Sequence, residues 1–150
     1  MVGAELISAV PRVAWFQLAG FAWQALNRED DGTGYPDRRQ NRYVVFDTIV
    51  EGGEGIVWWG LSFVKRAFFY DVLFDVTREL HVLSGLLTEG KTLARQVSDN
   101  AEVRTRLFEY GGKRYLLAVN GTAKKVSVCL DAGFTAKEVA VLRENRCCRV

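Results

Sequence analysis

Trp58 and Trp59 stand side by side in a short apolar run, Gly55 to Phe63, bounded by Gly52-Gly53 on one side and Lys65-Arg66 on the other. The length and the Ile-Val content suit a strand buried on both faces, as in a parallel sheet. Side chains alternate across a strand, so the two rings must point to opposite sides. Either both belong to the core, or one anchors it and the other faces a cavity at the strand's carboxyl end, where α/β folds place their sites. A second group lies upstream: Gln17 is a polar residue set in the apolar run Val13 to Leu18. A buried amide left unpaired costs about 1–3 kcal/mol. Gln17 therefore bonds within the core or to loop backbone, or it offers a donor and an acceptor at the rim of a pocket for a polar ligand.

Other chemistry has little to work with. The single histidine, His81, has no metal-spaced partner and reads as structural or surface. Three cysteines without a CxxC spacing, Cys129 and the adjacent Cys147-Cys148, argue against a zinc site and against a disulfide framework. Glu29-Asp30-Asp31 is a short acidic run of the kind that is usually solvated. No metal and no cofactor is expected. A net charge of +2, with Lys and Arg scattered, gives no basic arm for nucleic acid or an anionic membrane. The opening residues lack the basic start of a signal peptide, and no uncharged apolar run reaches the roughly 20 residues of a membrane span. The compartment stays open.

The elements that must position these residues follow from pattern and punctuation. About half the 150 residues are hydrophobic, enough for one ordinary domain's core. Pro11 precedes a strand at Val13 to Leu18, and Gly20 marks its end. Gln24 to Pro36 is a loop rich in turn formers. Tyr35-Pro36-Asp37 opens a helix with Tyr43, Phe46, Ile49 and Val50 on its apolar side; Gly52-Gly53 closes it. The tryptophan strand comes next. Val13 to Phe63 is thus one βαβ unit with two parallel strands. Lys65 to Leu87 predicts a helix with an apolar stripe of Phe69, Val72, Leu73, Val76, Leu80, Leu83 and Leu87, and with Asp71, Asp75, Arg78 and Glu79 mostly off it.

Beyond Gly90 the pattern changes. Thr92–Val97, Val103–Tyr110, Tyr115–Val119, Val126–Leu130 and Val139–Leu142 have strand composition, separated by Asp99-Asn100, Gly111-Gly112, Asn120-Gly121 and Asp131-Ala132-Gly133. Such spacing predicts an antiparallel β-sandwich, with Gly111-Gly112 as the clearest hairpin turn. Asn120-Gly121-Thr122 matches a glycosylation acceptor but reads first as a turn. The division is 1–90, α/β, and 91–150, all-β.

This order of parts resembles the C-terminal end of glycoside hydrolases built from a (β/α)8 barrel and an appended β-sandwich. The residues that carry the likeness are Ala14-Trp15-Phe16-Gln17 with Phe21 and Trp23, Tyr35-Pro36-Asp37, Glu51 to Ile56, and Trp58-Trp59-Gly60. Arg78-Glu79-Leu80, Tyr115 to Asn120 and Val141 to Arg146 extend it over nearly the whole chain. The resemblance implies the last two βα units of a barrel, followed by an incomplete sandwich, in an apparently truncated chain. It also implies a sugar-binding wall of Gln17, Phe21, Trp23 and Trp59, and a cis peptide between Trp59 and Gly60. A retaining or inverting glycosidase needs two carboxyl groups flanking the bond. The place of the usual nucleophile offers Gln17, and the partner acid belongs to an earlier strand. Carbohydrate is then the expected partner, with no catalytic residue in this chain and self-association through open sheet edges. The alternative is a stand-alone carbohydrate- or protein-binding module without enzymatic activity.

Overall fold

The computed structural model describes residues 13–17, 36–59, 69–135, 138–142 and 146–149. Strand β1, Val13–Gln17, lies parallel to β2, Gly55–Trp59, in the register Val13↔Gly55 to Gln17↔Trp59. Helix α1, Arg38–Val50, lies between them in sequence. Its start is fixed more tightly than a dipole argument requires. The Asp37 carboxylate accepts from the Gln40 amide at 2.8 Å, and the Gln40 side chain accepts from the Asp37 amide at 2.9 Å. This reciprocal cap satisfies two amides that the first turn would leave orphaned. At the other end Gly52 adopts φ +93°, a left-handed turn that favours glycine.

The long helix expected after the tryptophans is broken. A π-helical turn, Phe69–Leu73, runs into α2, Phe74–Val82, and α3, Ser84–Glu89, follows. The break falls at Leu83, whose amide is shared between the Glu79 and Leu80 carbonyls at 3.2 and 3.1 Å. The stripe therefore shifts: Leu86 is buried and Leu87 only partly so. Glu79 is a correction too, since it is buried rather than off the packed face. His81 is exposed, as a surface reading requires.

Three antiparallel strands come next, β3 Lys91–Arg95, β4 Val103–Tyr110 and β5 Lys113–Asn120, in that spatial order. The register of β3 on β4 shifts between Thr92 and Ala94. Gly111 and Gly112 join β4 to β5 with φ of +57° and +71°, the two positive values that a tight hairpin turn demands. Asn120-Gly121-Thr122 is a turn, with the Asn120 side-chain Oδ1 accepting from both the amide and the hydroxyl of Thr122. Val126–Leu130 is not a strand. Its backbone bonds go to the 97–99 loop instead: Cys129 donates to the Asp99 carboxylate, Asp99 donates to the Cys129 carbonyl, and only Ser98↔Leu130 forms a bridge. β6, Glu138–Val141, pairs antiparallel with β7, Arg146–Arg149, a strand that the charged Arg-Cys-Cys-Arg sequence did not announce. The described architecture is thus mixed α and β, with a parallel pair, an open three-stranded antiparallel sheet and a separate two-stranded ladder.

One apolar cluster joins the helices to β2, β4 and β5. Val45, Phe46, Ile49 and Val50 of α1 meet Val76 of α2, Leu86 of α3, Phe108 of β4 and Val119 of β5, with Ile56 and Trp58 packed against them. Gly85 brings α3 close to the sheet, since a Cβ there would lie 2.3 Å from the Tyr110 hydroxyl. The change in composition at Gly90 separates types of secondary structure; the core runs across it.

Candidate ligand-binding site at the strand ends

Gln17 and Trp59 are register partners at the last position of the two parallel strands. The fold thus brings together two of the four residues singled out from the sequence, at the carboxyl ends of β1 and β2. Phe21, Trp23 and the Trp59–Gly60 peptide lie outside the described residues, as do Glu29, Asp30 and Asp31.

Trp58 packs against the helix. Its indole N–H donates to the Asn41 side-chain oxygen of α1 at 3.3 Å, and its ring adjoins the shared core. Ile56 and Trp58, two apart on the strand, therefore define the helix side of β2. Val57, between them, is exposed. Sequence reasoning passed over Asn41. Its signal was positional: Asn41, Val45 and Ile49 share one helix face at four-residue spacing, so the amide sits on the apolar stripe. Because an indole N–H can only donate, the Asn41 oxygen must face it, and the amide nitrogen is left buried without a partner.

Helix α1 is held from both sides by arginines. Towards α2, Arg38 meets Asp75 at 2.6 Å. Arg42 forks onto Glu79 with Nε–Oε2 at 2.9 Å and Nη2–Oε1 at 2.8 Å. Towards the sheet, Arg104 reaches Asp47 at 2.8 Å, an ion pair without hydrogen-bond alignment at that oxygen, and also donates to the Tyr43 hydroxyl. Arg106 donates to the Ile49 carbonyl at 2.8 Å and to the Thr92 hydroxyl, so a cation sits at the negative end of the helix. Burial pulls the Arg106 guanidinium down from its usual range; Arg95 nearby adds to this and Glu54 opposes it.

Burial also pushes the Asp47 carboxyl above the usual carboxylate range; Arg104 opposes that and Glu51 adds to it. A carboxyl whose folded pKa is raised favours the fold below its unfolded pKa and loses that contribution as pH rises through the folded one. Asp47→Asn removes this dependence. Calorimetry at pH 3 and pH 7 should therefore find the variant's melting temperature, relative to the parent, more favourable at pH 7 than at pH 3.

A further groove of about 330 Å³ is lined by Gln96, Val97, Ser98, Asp99, Cys129 and Asp131. Both of its carboxylates already accept from backbone amides, Asp99 from Cys129 and Asp131 from Gly133, which makes them loop braces. Among the described residues no three His, Cys, Asp or Glu converge as a metal site, and no helix is long and apolar enough to cross a membrane. No family model, curated protein or solved structure matches the chain.

Proposed function

We propose that this chain is the C-terminal part of a carbohydrate-active, glycoside hydrolase-like protein. It contributes the last two βα units of a (β/α)8 barrel and an accessory β-sandwich, and it does not hydrolyse sugars alone. The observation that supports this reading best is the pairing of Gln17 with Trp59 at the carboxyl ends of two parallel strands joined through α1. Strand ends of that kind are where barrel enzymes bind their substrates. An aromatic ring suits the C–H face of a pyranose, and an amide suits its hydroxyls. Trp59, Gln17, Phe21 and Trp23 are the wall in this reading. The exposed Val57 supports it as well, because strands of a parallel sheet are covered on both faces and β2 is covered by α1 on one.

The test is calorimetric titration of the purified 150-residue chain with a panel of neutral oligosaccharides, beside an assay on nitrophenyl glycosides. Saturable binding of at least one oligosaccharide, lost in Trp59→Ala and Gln17→Ala, is expected, with no release of nitrophenol. Turnover by the chain alone refutes the non-catalytic reading. Binding that survives both substitutions refutes the site.

A further inference from the structure

We infer that Asn120-Gly121 is a deamidation site that the surrounding turn holds shut, so that the chain converts there only when the end of β5 opens. This inference is independent of the sugar reading. Asparagine before glycine is the pair most open to this reaction, because glycine has no Cβ to hinder ring closure. The Gly121 amide gives its proton to solvent base, and its nitrogen attacks Cγ of Asn120. A C–N bond forms, the Cγ–Nδ2 bond breaks, and ammonia leaves. Water then opens the five-membered imide at one of its two carbonyls. The product is aspartate, or isoaspartate with one more carbon in the main chain, and either carries a new negative charge.

Asn120 and Gly121 are both exposed, so water and base reach them. Hydrogen bonds, not burial, restrain the reacting atoms. The Gly121 N–H donates to the Glu102 carbonyl at 2.8 Å, which engages the proton that must leave. Nδ2 of Asn120, the leaving group, donates to the Lys124 carbonyl at 2.8 Å. Oδ1 accepts from the Thr122 amide and hydroxyl at 2.9 and 2.8 Å. Those two bonds draw electrons from Cγ, yet that favours attack only after Gly121 is released. The Thr122 hydroxyl also bonds the Lys124 carbonyl at 3.0 Å, so it braces both sides of the amide. Conversion is one-way. A carboxylate at 120 has no proton to offer the Lys124 carbonyl, so the turn cannot close again as before. The turn also abuts the contacts between the sheet and α1: a Cβ on Gly121 would lie 3.6 Å from Arg104 Nη2 and 3.7 Å from the Tyr43 hydroxyl. The converted chain is therefore loosened between β5 and α1.

The test is incubation of the full chain in mildly alkaline buffer, with and without guanidinium chloride, and mass spectrometry of the tryptic peptide 115–124. Conversion at Asn120 should be at least about tenfold faster in guanidinium chloride, where the turn is open. Thr122→Ala should speed it in buffer but not in guanidinium chloride, with circular dichroism unchanged, and Thr122→Ser, which keeps the hydroxyl, should match the parent. Gly121→Ala should slow it in guanidinium chloride, as crowding at the attacking nitrogen requires. Equal parent rates in the two solvents overturn the inference, and so does an absence of conversion in both. A Thr122→Ala rate equal to the parent's in buffer overturns the restraint by the side-chain bonds. The converted chain, separated by ion exchange, should melt at a lower temperature than the parent; an unchanged melting temperature overturns the link to α1.

Discussion

Phe108→Ala is expected to lower the unfolding free energy by about 3–5 kcal/mol, the range for deleting a buried phenylalanine. The ring is 2% exposed and sits in the cluster that α1, α2, α3, β4 and β5 share. Arg106 lies over it, 4.7 Å from guanidinium to ring centroid, so the truncation also strips a cation of its aromatic support. Because helices and sheet meet in one core, the loss should be felt on both sides of Gly90. Urea unfolding followed by far-ultraviolet circular dichroism and by tryptophan fluorescence should give coincident, equally shifted midpoints. The tryptophans lie before Gly90 and Phe108 lies after it, so a shift in one signal alone would show that the two sides unfold separately. A loss under about 1 kcal/mol would mean that Phe108 does not bridge them.

The parts of the fold legible in the sequence are those decided by short stretches of chain. Pro36-Asp37 and Gly52-Gly53 bracket α1 because caps and left-handed turns are local chemistry. Gly111-Gly112 sets its hairpin because positive φ at two successive residues admits few other choices. The parallel pairing of β1 with β2 was legible because an intervening helix leaves two consecutive strands little else to do. What could not be read depends on partners far along the chain. Val126–Leu130 has strand composition, yet the Asp99 side chain takes the Cys129 amide that a ladder would use. The alternation Arg104, Arg106, Phe108 looks like the polar and apolar mixture of an ordinary strand. Only the fold reveals that the two arginines meet α1 through Asp47 and the Ile49 carbonyl. At the candidate site, Gln17 and Trp59 were found because their types stood out in apolar runs. Asn41 was missed because a lone amide in a helix is unremarkable until its face is compared with Val45 and Ile49.

At Glu79 that long-range dependence has an energetic consequence. Read alone, a glutamate beside Arg78 in a helix belongs in water; here it is 6% exposed, and its two oxygens are taken by the fork of Arg42 from α1. Removing one partner of a buried pair costs about 3–5 kcal/mol, because the other charge stays desolvated. Arg42 is itself half exposed, with 55% side-chain exposure, so water can reach part of the vacated space. Arg42→Ala is therefore expected to fall below that range, at about 2–3 kcal/mol. Part of that is lost packing, since the guanidinium also covers the Phe46 ring at 4.9 Å. Glu79→Gln, which keeps the shape and drops the charge, should cost about 1 kcal/mol. Glu79→Met in the Arg42→Ala background should recover part of the Arg42→Ala loss, because the buried carboxylate that has lost its fork is then gone. The check is a double-mutant cycle in urea: a coupling energy above about 1 kcal/mol is expected. Strict additivity would mean that the Arg42–Glu79 pair does not tie α1 to α2, which Arg38–Asp75 and the apolar cluster then hold together.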